Sequence, residues 1–298
     1  MGDGRRIAVA FAGLGAGLVL ALAPLIASSA QPRTVVVGAK NFSEQYILAD
    51  LMADRLRRTG YRVELKQDLG SAVAYRALAA GEIDAYVDYS GTLWTNVLKR
   101  TDTPPRAVLL GQLATALKAR DGVLLLGPLG FENAYALAMR RPRAAALGVS
   151  SIADLARAAP RLTLGADLEF LSRPEWAAIQ RAYGLAFAHE RRFEPTFMYR
   201  ATQDGEADVI SAFSSDGRIA ADDMVVLSDP KGAIPPYDAV ILISPKRAND
   251  AAFKAQLAPL LGAISADAMR KANYEVDRDQ DKRSPEQAAA DLARAIGR

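Results

Sequence analysis

The chain has 298 residues, 50% of them hydrophobic and 24% charged, with no Cys and a single His. This balance excludes disordered, collagen-like and disulfide-stapled classes and is enough for about two domains at roughly 150 residues each. The absence of thiols removes thiolate catalysis and iron–sulfur ligation, and the lone His189 removes any metal site or mechanism that needs two imidazoles.

At the N-terminus Arg5 and Arg6 precede an uncharged stretch from Ile7 to Ala30, which ends in the small residues Ala27-Ser28-Ser29-Ala30. Residues 1–30 read as a secretory leader, with an uncleaved membrane anchor as the alternative because the apolar run exceeds the usual h-region. The Gly13 to Gly17 run (GLGAG) follows no strand and sits inside this segment, so it is not read as a phosphate loop. The formal net charge of +3 gives no electrostatic case for nucleic acid.

From Thr34 strands and helices alternate. Thr34 to Gly38 (TVVVG) is the β-branched run left by a buried strand. Ser43 is the expected cap of a helix carrying Ile47, Leu48, Leu51 and Leu56, with Gly60 as its stop. Further strands are expected at Arg62 to Lys66, Val123 to Leu126, Tyr135 to Met139, Leu162 to Gly165 and Ala239 to Ile243. Helices are expected at Arg106 to Ala119, Ile152 to Ala158 and Pro174 to Tyr183. The alternation predicts an α/β architecture with mostly parallel sheets.

An internal echo is the most informative feature. Tyr75 to Thr92 (YRALAAGEIDAYVDYSGT) and Tyr199 to Asp216 (YRATQDGEADVISAFSSD) share seven identities without a gap. Each copy reads as a helix, a Gly-Glu turn, and an Asp-led strand ending in an aromatic. Ligands of open α/β sheets gather outside the carboxyl ends of strands, where Tyr89 and Phe213 would project. The repeat therefore predicts two similar lobes, each offering an aromatic at its binding edge.

These segments carry a resemblance. Gly38 to Gln45 (GAKNFSEQ), Asp68 to Ser71 (DLGS), Ala80 to Asp84 (AGEID) and Asp88 to Thr92 (DYSGT) resemble the substrate-binding proteins of osmoprotectant ABC importers, which capture glycine betaine, choline and related quaternary amines. Phe131 to Ala138, Glu169-Phe170 with Arg173, Ala212 to Gly217 and Pro235-Pro236-Tyr237 follow the same pattern in order. The resemblance implies a two-lobed clamshell of the type II periplasmic binding proteins, with two hinge crossings. It places residues 34–133 plus 240–298 in one lobe and 134–239 in the other. It also implies an aromatic box of Tyr89, Tyr135, Phe213 and Tyr237 for the trimethylammonium head. Lys40, Arg173 and the Thr92 hydroxyl would meet a ligand carboxylate, with Asn133 and Glu169 supporting them. Phe213 stands where the family usually has a fourth tyrosine.

The implied chemistry is sound on its own terms. A quaternary ammonium has no N–H to donate, so ring faces must hold it, at roughly 0.5 to 2 kcal/mol each. An Arg fork can pair bidentately with a carboxylate at the other end. The implied partners are a small quaternary amine and a membrane permease, the chain is expected to act as a periplasmic monomer, and no cofactor or metal is expected. A receptor module feeding a membrane sensor would use the same pocket. An enzyme is the weaker reading, since no nucleophile–base pair is visible. Trp94 and Trp176 are expected in the core and His189 on the surface.

Overall fold

The computed structural model describes residues 1–2 and 33–297, so the expected leader lies outside the described residues beyond its first two positions. Two five-stranded sheets organise residues 33–297, which belong to one compact unit. The first sheet contains β1 (Thr34–Lys40), β2 (Arg62–Leu69), β3 (Ala85–Tyr89), β4 (Leu124–Glu132) and β10 (Asp238–Ile243), in the order β2-β1-β3-β10-β4. The second contains β5 (Tyr135–Arg140), β6 (Thr163–Ala166), β7 (His189–Arg192), β8 (Val209–Phe213) and β9 (Met224–Val226), in the order β7-β6-β8-β5-β9.

The two orders are the same pattern. In the first sheet β1 pairs parallel with β2 and β3, while β10 runs antiparallel to β3 and β4. In the second, β6 pairs parallel with β7 and β8, while β5 runs antiparallel to β8 and β9. The expectation of mostly parallel sheets is therefore corrected to an even mixture. The cause is the connectivity. β5 and β10 each enter a sheet directly from a crossing, one from β4 and one from β9, and both insert against the direction of their neighbours. The second crossing joins the first sheet at Asp238, where β10 begins.

Side-chain period 2 builds the core on both faces of each sheet. Ala239, Ile241 and Ile243 of β10 pack with Ile47, Leu51 and Phe253 on one side. Val240 and Leu242 pack with Tyr86, Trp94 and Leu113 on the other. All six residues of β10 are buried, which explains the unbroken apolar run from Ala239 to Ile243. In the second sheet Leu137 and Met139 of β5 join Leu164 and Ile179, while Ala138 joins Ile210 on the opposite face.

The helix Ser43–Arg58 carries Glu44 in its first turn and Arg55, Arg57 and Arg58 in its last, matching the macrodipole. Its N-cap is Phe42, so Ser43 is the first helical residue and not the cap. The Ser43 hydroxyl instead donates to Asp277 at 2.6 Å. Trp94 and Trp176 are buried, and His189 lies on β7, an exposed edge strand that its charged sequence did not announce. Among the described residues, no helix is long and apolar enough to cross a membrane.

Candidate functional site

A cleft of about 1150 Å³ opens between the two sheets, and all nine residues singled out in the sequence line it: Lys40, Tyr89, Thr92, Asn133, Tyr135, Glu169, Arg173, Phe213 and Tyr237. Tyr89 is the last residue of β3 and Phe213 the last of β8, so the repeat delivers one ring from each sheet at equivalent strand ends. Tyr135 opens β5 and pairs with Phe213 in register, bringing the two rings to 4.7 Å between centroids. Behind Tyr135 stand Phe170 at 5.5 Å and then Trp176, 5.4 Å from Phe170. Phe213 is nearly half exposed (46%), whereas Tyr89, Tyr135 and Tyr237 are buried apart from a rim. A ring face left open to solvent in this way is available for contact.

Tyr237 arrives on the second crossing and is seated by the DYSGT segment. An added Cβ at Gly91 would lie 2.7 Å from the Tyr237 ring, so only glycine permits the contact. The Ser90 hydroxyl donates to the Pro236 carbonyl at 2.9 Å and accepts from the Asp238 backbone N–H at 2.9 Å. The Tyr237 carbonyl in turn accepts from the Asn133 backbone N–H at 3.1 Å, which ties the two crossings together.

Both basic residues are paired with carboxylates of the chain itself. Lys40 is buried, and its ammonium lies 2.6 Å from Asp88 Oδ1 and 4.6 Å from the Tyr89 ring centroid. Arg173 donates to Glu169 Oε1 at 2.5 Å, lies 4.0 Å from Glu175 Oε1 and stacks over Tyr135 at 4.9 Å. The Lys40–Asp88 pair is buried, where a charge without a partner costs several kcal/mol, whereas the Arg173–Glu169 pair is exposed.

Two wall residues, Glu44 and Asn273, and one residue behind the wall, Glu175, escaped the sequence reading. Glu44 is buried at the base of the cleft. Its carboxylate accepts from the Tyr89 hydroxyl at 2.5 Å, from Asn133 Nδ2 at 3.1 Å and from Asn273 Nδ2 at 2.8 Å. Burial holds this carboxyl above the ordinary carboxylate range, against the opposing pull of its hydrogen bonds. Burial, with Glu44 beside it, also pushes the Tyr89 hydroxyl well up. Asn273 lies on the helix Ala266–Asp277 and also donates to the Ser215 carbonyl at 2.8 Å. Glu175 accepts from the Tyr237 hydroxyl at 2.9 Å. Glu44 lay inside the GAKNFSEQ block and could have been found there. Asn273 is separated from Glu44 by 229 positions, and no local pattern marks it.

Two α/β sheets joined by two crossings, with a cleft at the carboxyl ends of equivalent strands, define a solute-binding protein of the type II periplasmic class. The chain belongs to the family described as the substrate binding domain of ABC-type glycine betaine transport systems, whose model matches residues 33–295. It is 30% identical to the glycine-betaine-binding protein of Pseudomonas aeruginosa over 294 residues, covering 93% of each chain. It is 28% identical over 272 residues to an ergothioneine transport permease/ergothioneine binding protein of Helicobacter pylori, covering 90% of this chain and 48% of that longer one. A solved glycine betaine/carnitine/choline ABC transporter structure superposes with a TM-score of 0.83 at 26% identity, covering 88% of this chain and 98% of that one. The family is one of extracytoplasmic binding proteins that serve an ABC permease, and it is not an enzyme family.

Proposed function

We propose that the chain captures glycine betaine or a closely related quaternary amine in the periplasm, without catalysing any reaction on it, and presents it as a monomer to a membrane permease. In this reading Tyr89, Tyr135, Phe213 and Tyr237 surround the methylated nitrogen. Arg173 and Thr92, with Lys40 behind Tyr89, face a ligand carboxylate when there is one, and Asn133 and Glu169 hold these groups in place. Residues 34–133 with 240–298 and residues 134–239 act as the two closing halves, and residues 1–30 serve as the export leader. The observation that supports it most is that four aromatic rings, drawn from both sheets and from the second crossing, line a single cleft. A cation without N–H groups is matched by ring faces and by little else.

Closure follows from the same geometry, because a ligand that touches both halves is held best when they meet. The test is titration calorimetry with glycine betaine, choline, carnitine and proline betaine. Phe213→Ala should weaken binding by roughly 0.5 to 2 kcal/mol while leaving the melting temperature unchanged, since Phe213 is already 46% exposed. Absence of heat with all four ligands would remove the reading.

A further inference from the structure

Each tyrosine of the box donates its hydroxyl to a different glutamate. Tyr89 donates to Glu44 at 2.5 Å, Tyr237 to Glu175 at 2.9 Å and Tyr135 to Glu169 at 3.4 Å. The fourth ring, Phe213, has no hydroxyl to place. Packing alone does not require this arrangement, because a neutral carbonyl satisfies a buried hydroxyl with far less desolvation.

Glu175 is the clearest case. It is 6% exposed, and its Oε2 is buried without a hydrogen-bond partner among the described residues. The cation nearest to it, Arg173, stands at 4.0 Å and is engaged more closely by Glu169. A carboxylate kept in the interior with one oxygen unused costs stability as a structural element. What it supplies is charge. Glu175 sits in the first turn of the ten-residue helix Pro174–Tyr183, where the backbone dipole favours an anion. Its field reaches the cleft through Tyr237. An anion bonded to the phenol hydroxyl polarises the ring and makes its face more negative, which strengthens attraction for a cation above it.

We propose that Glu175 is a charge-selecting positioning residue: it holds Tyr237 by the hydroxyl and biases the box toward permanently charged heads over neutral heads of the same shape. This rests on the quaternary-amine reading above. Glu175→Gln keeps an acceptor for Tyr237 and removes the charge, whereas Glu175→Asp keeps the charge. Choline and 3,3-dimethyl-1-butanol, its isostere with carbon in place of nitrogen, are the probes, measured by calorimetry and competition. E175Q should lose about fivefold to tenfold in choline affinity and keep isostere affinity within about twofold, whereas E175D should hold the wild-type preference. An unchanged choline affinity in E175Q, or equal losses for both probes, overturns the proposal. Where the isostere binds too weakly to titrate, the choline affinities of E175Q and E175D decide: equal values overturn it. A wild-type chain that binds neither choline nor glycine betaine would instead sink the parent reading, so the two failures are told apart.

Discussion

Gly91 shows how a single missing methyl group shapes the cleft. Its ideal Cβ position overlaps the Tyr237 ring, so Gly91→Ala should push that ring aside and weaken ligand binding by about tenfold. Calorimetry on the variant measures this. Asp88 works through charge: it anchors the buried Lys40 ammonium and also accepts from the Tyr86 hydroxyl at 2.7 Å and the Tyr89 backbone N–H at 2.8 Å. Asp88→Asn should leave Lys40 uncompensated and cost about 3 to 5 kcal/mol in urea unfolding. Asp50 offers a pH test away from the cleft. Burial, with Glu286 adding and Arg57 opposing, pushes its carboxyl up from 3.8 to about 6. The folded chain therefore holds that proton more tightly than the unfolded one, so ionisation opposes folding and stability falls as pH rises from about 4 through about 6. Asp50→Asn should match wild type at pH 4 and exceed it at pH 7.5 by about 1 kcal/mol, after allowance for solvent screening.

At the level of elements, the repeat carried most of what the sequence could say. Asp84 and Asp208, which lead the two echoed strands, play the same part: each accepts a backbone N–H from the neighbouring strand, Val36 at 2.8 Å and Thr163 at 2.9 Å. Their surroundings differ. Asp84 is buried and also meets Arg247 at 3.0 Å and Lys246 at 3.3 Å, whereas Asp208 is partly exposed and meets Arg143 at 3.0 Å. Asp84→Asn should cost about 3 kcal/mol and Asp208→Asn about 1 kcal/mol in chemical denaturation; equal costs would contradict the burial argument. Strand ends with β-branched or aromatic residues were legible, as was the gathering of Tyr89, Tyr135, Phe213 and Tyr237 around one cleft. Strand direction was not, because it depends on how β5 and β10 return from the crossings, which no local pattern encodes. The pairing of Lys40 with Asp88 and of Arg173 with Glu169 was equally hidden, since it joins side chains whose proximity only the fold creates.

For the whole molecule, the sequence implied two crossings, and the structure adds a third tie. The helix Ala266–Asp277 lies against the turn that follows β8: an added Cβ at Gly217 would sit 2.4 Å from the Tyr274 backbone, and Arg270 donates to the Ser214 carbonyl at 2.8 Å. Gly217→Val should pry this helix loose, enlarge the ligand-free molecule in small-angle scattering and weaken ligand binding, with both changes measured on the same preparation. The Asn273 amide sits at the middle of that tie, spanning Glu44 and the Ser215 carbonyl with two bonds of 2.8 Å. The Ser215 hydroxyl also hydrogen-bonds the Glu44 carboxyl, so swinging Ser215 away from the helix severs its carbonyl's bond to that amide and takes its own hydroxyl from the group that accepts from Tyr89. Parting the two halves and loosening the wall around Tyr89 are thus coupled through a helix whose Asn273, Tyr274 and Asp277 line the cleft.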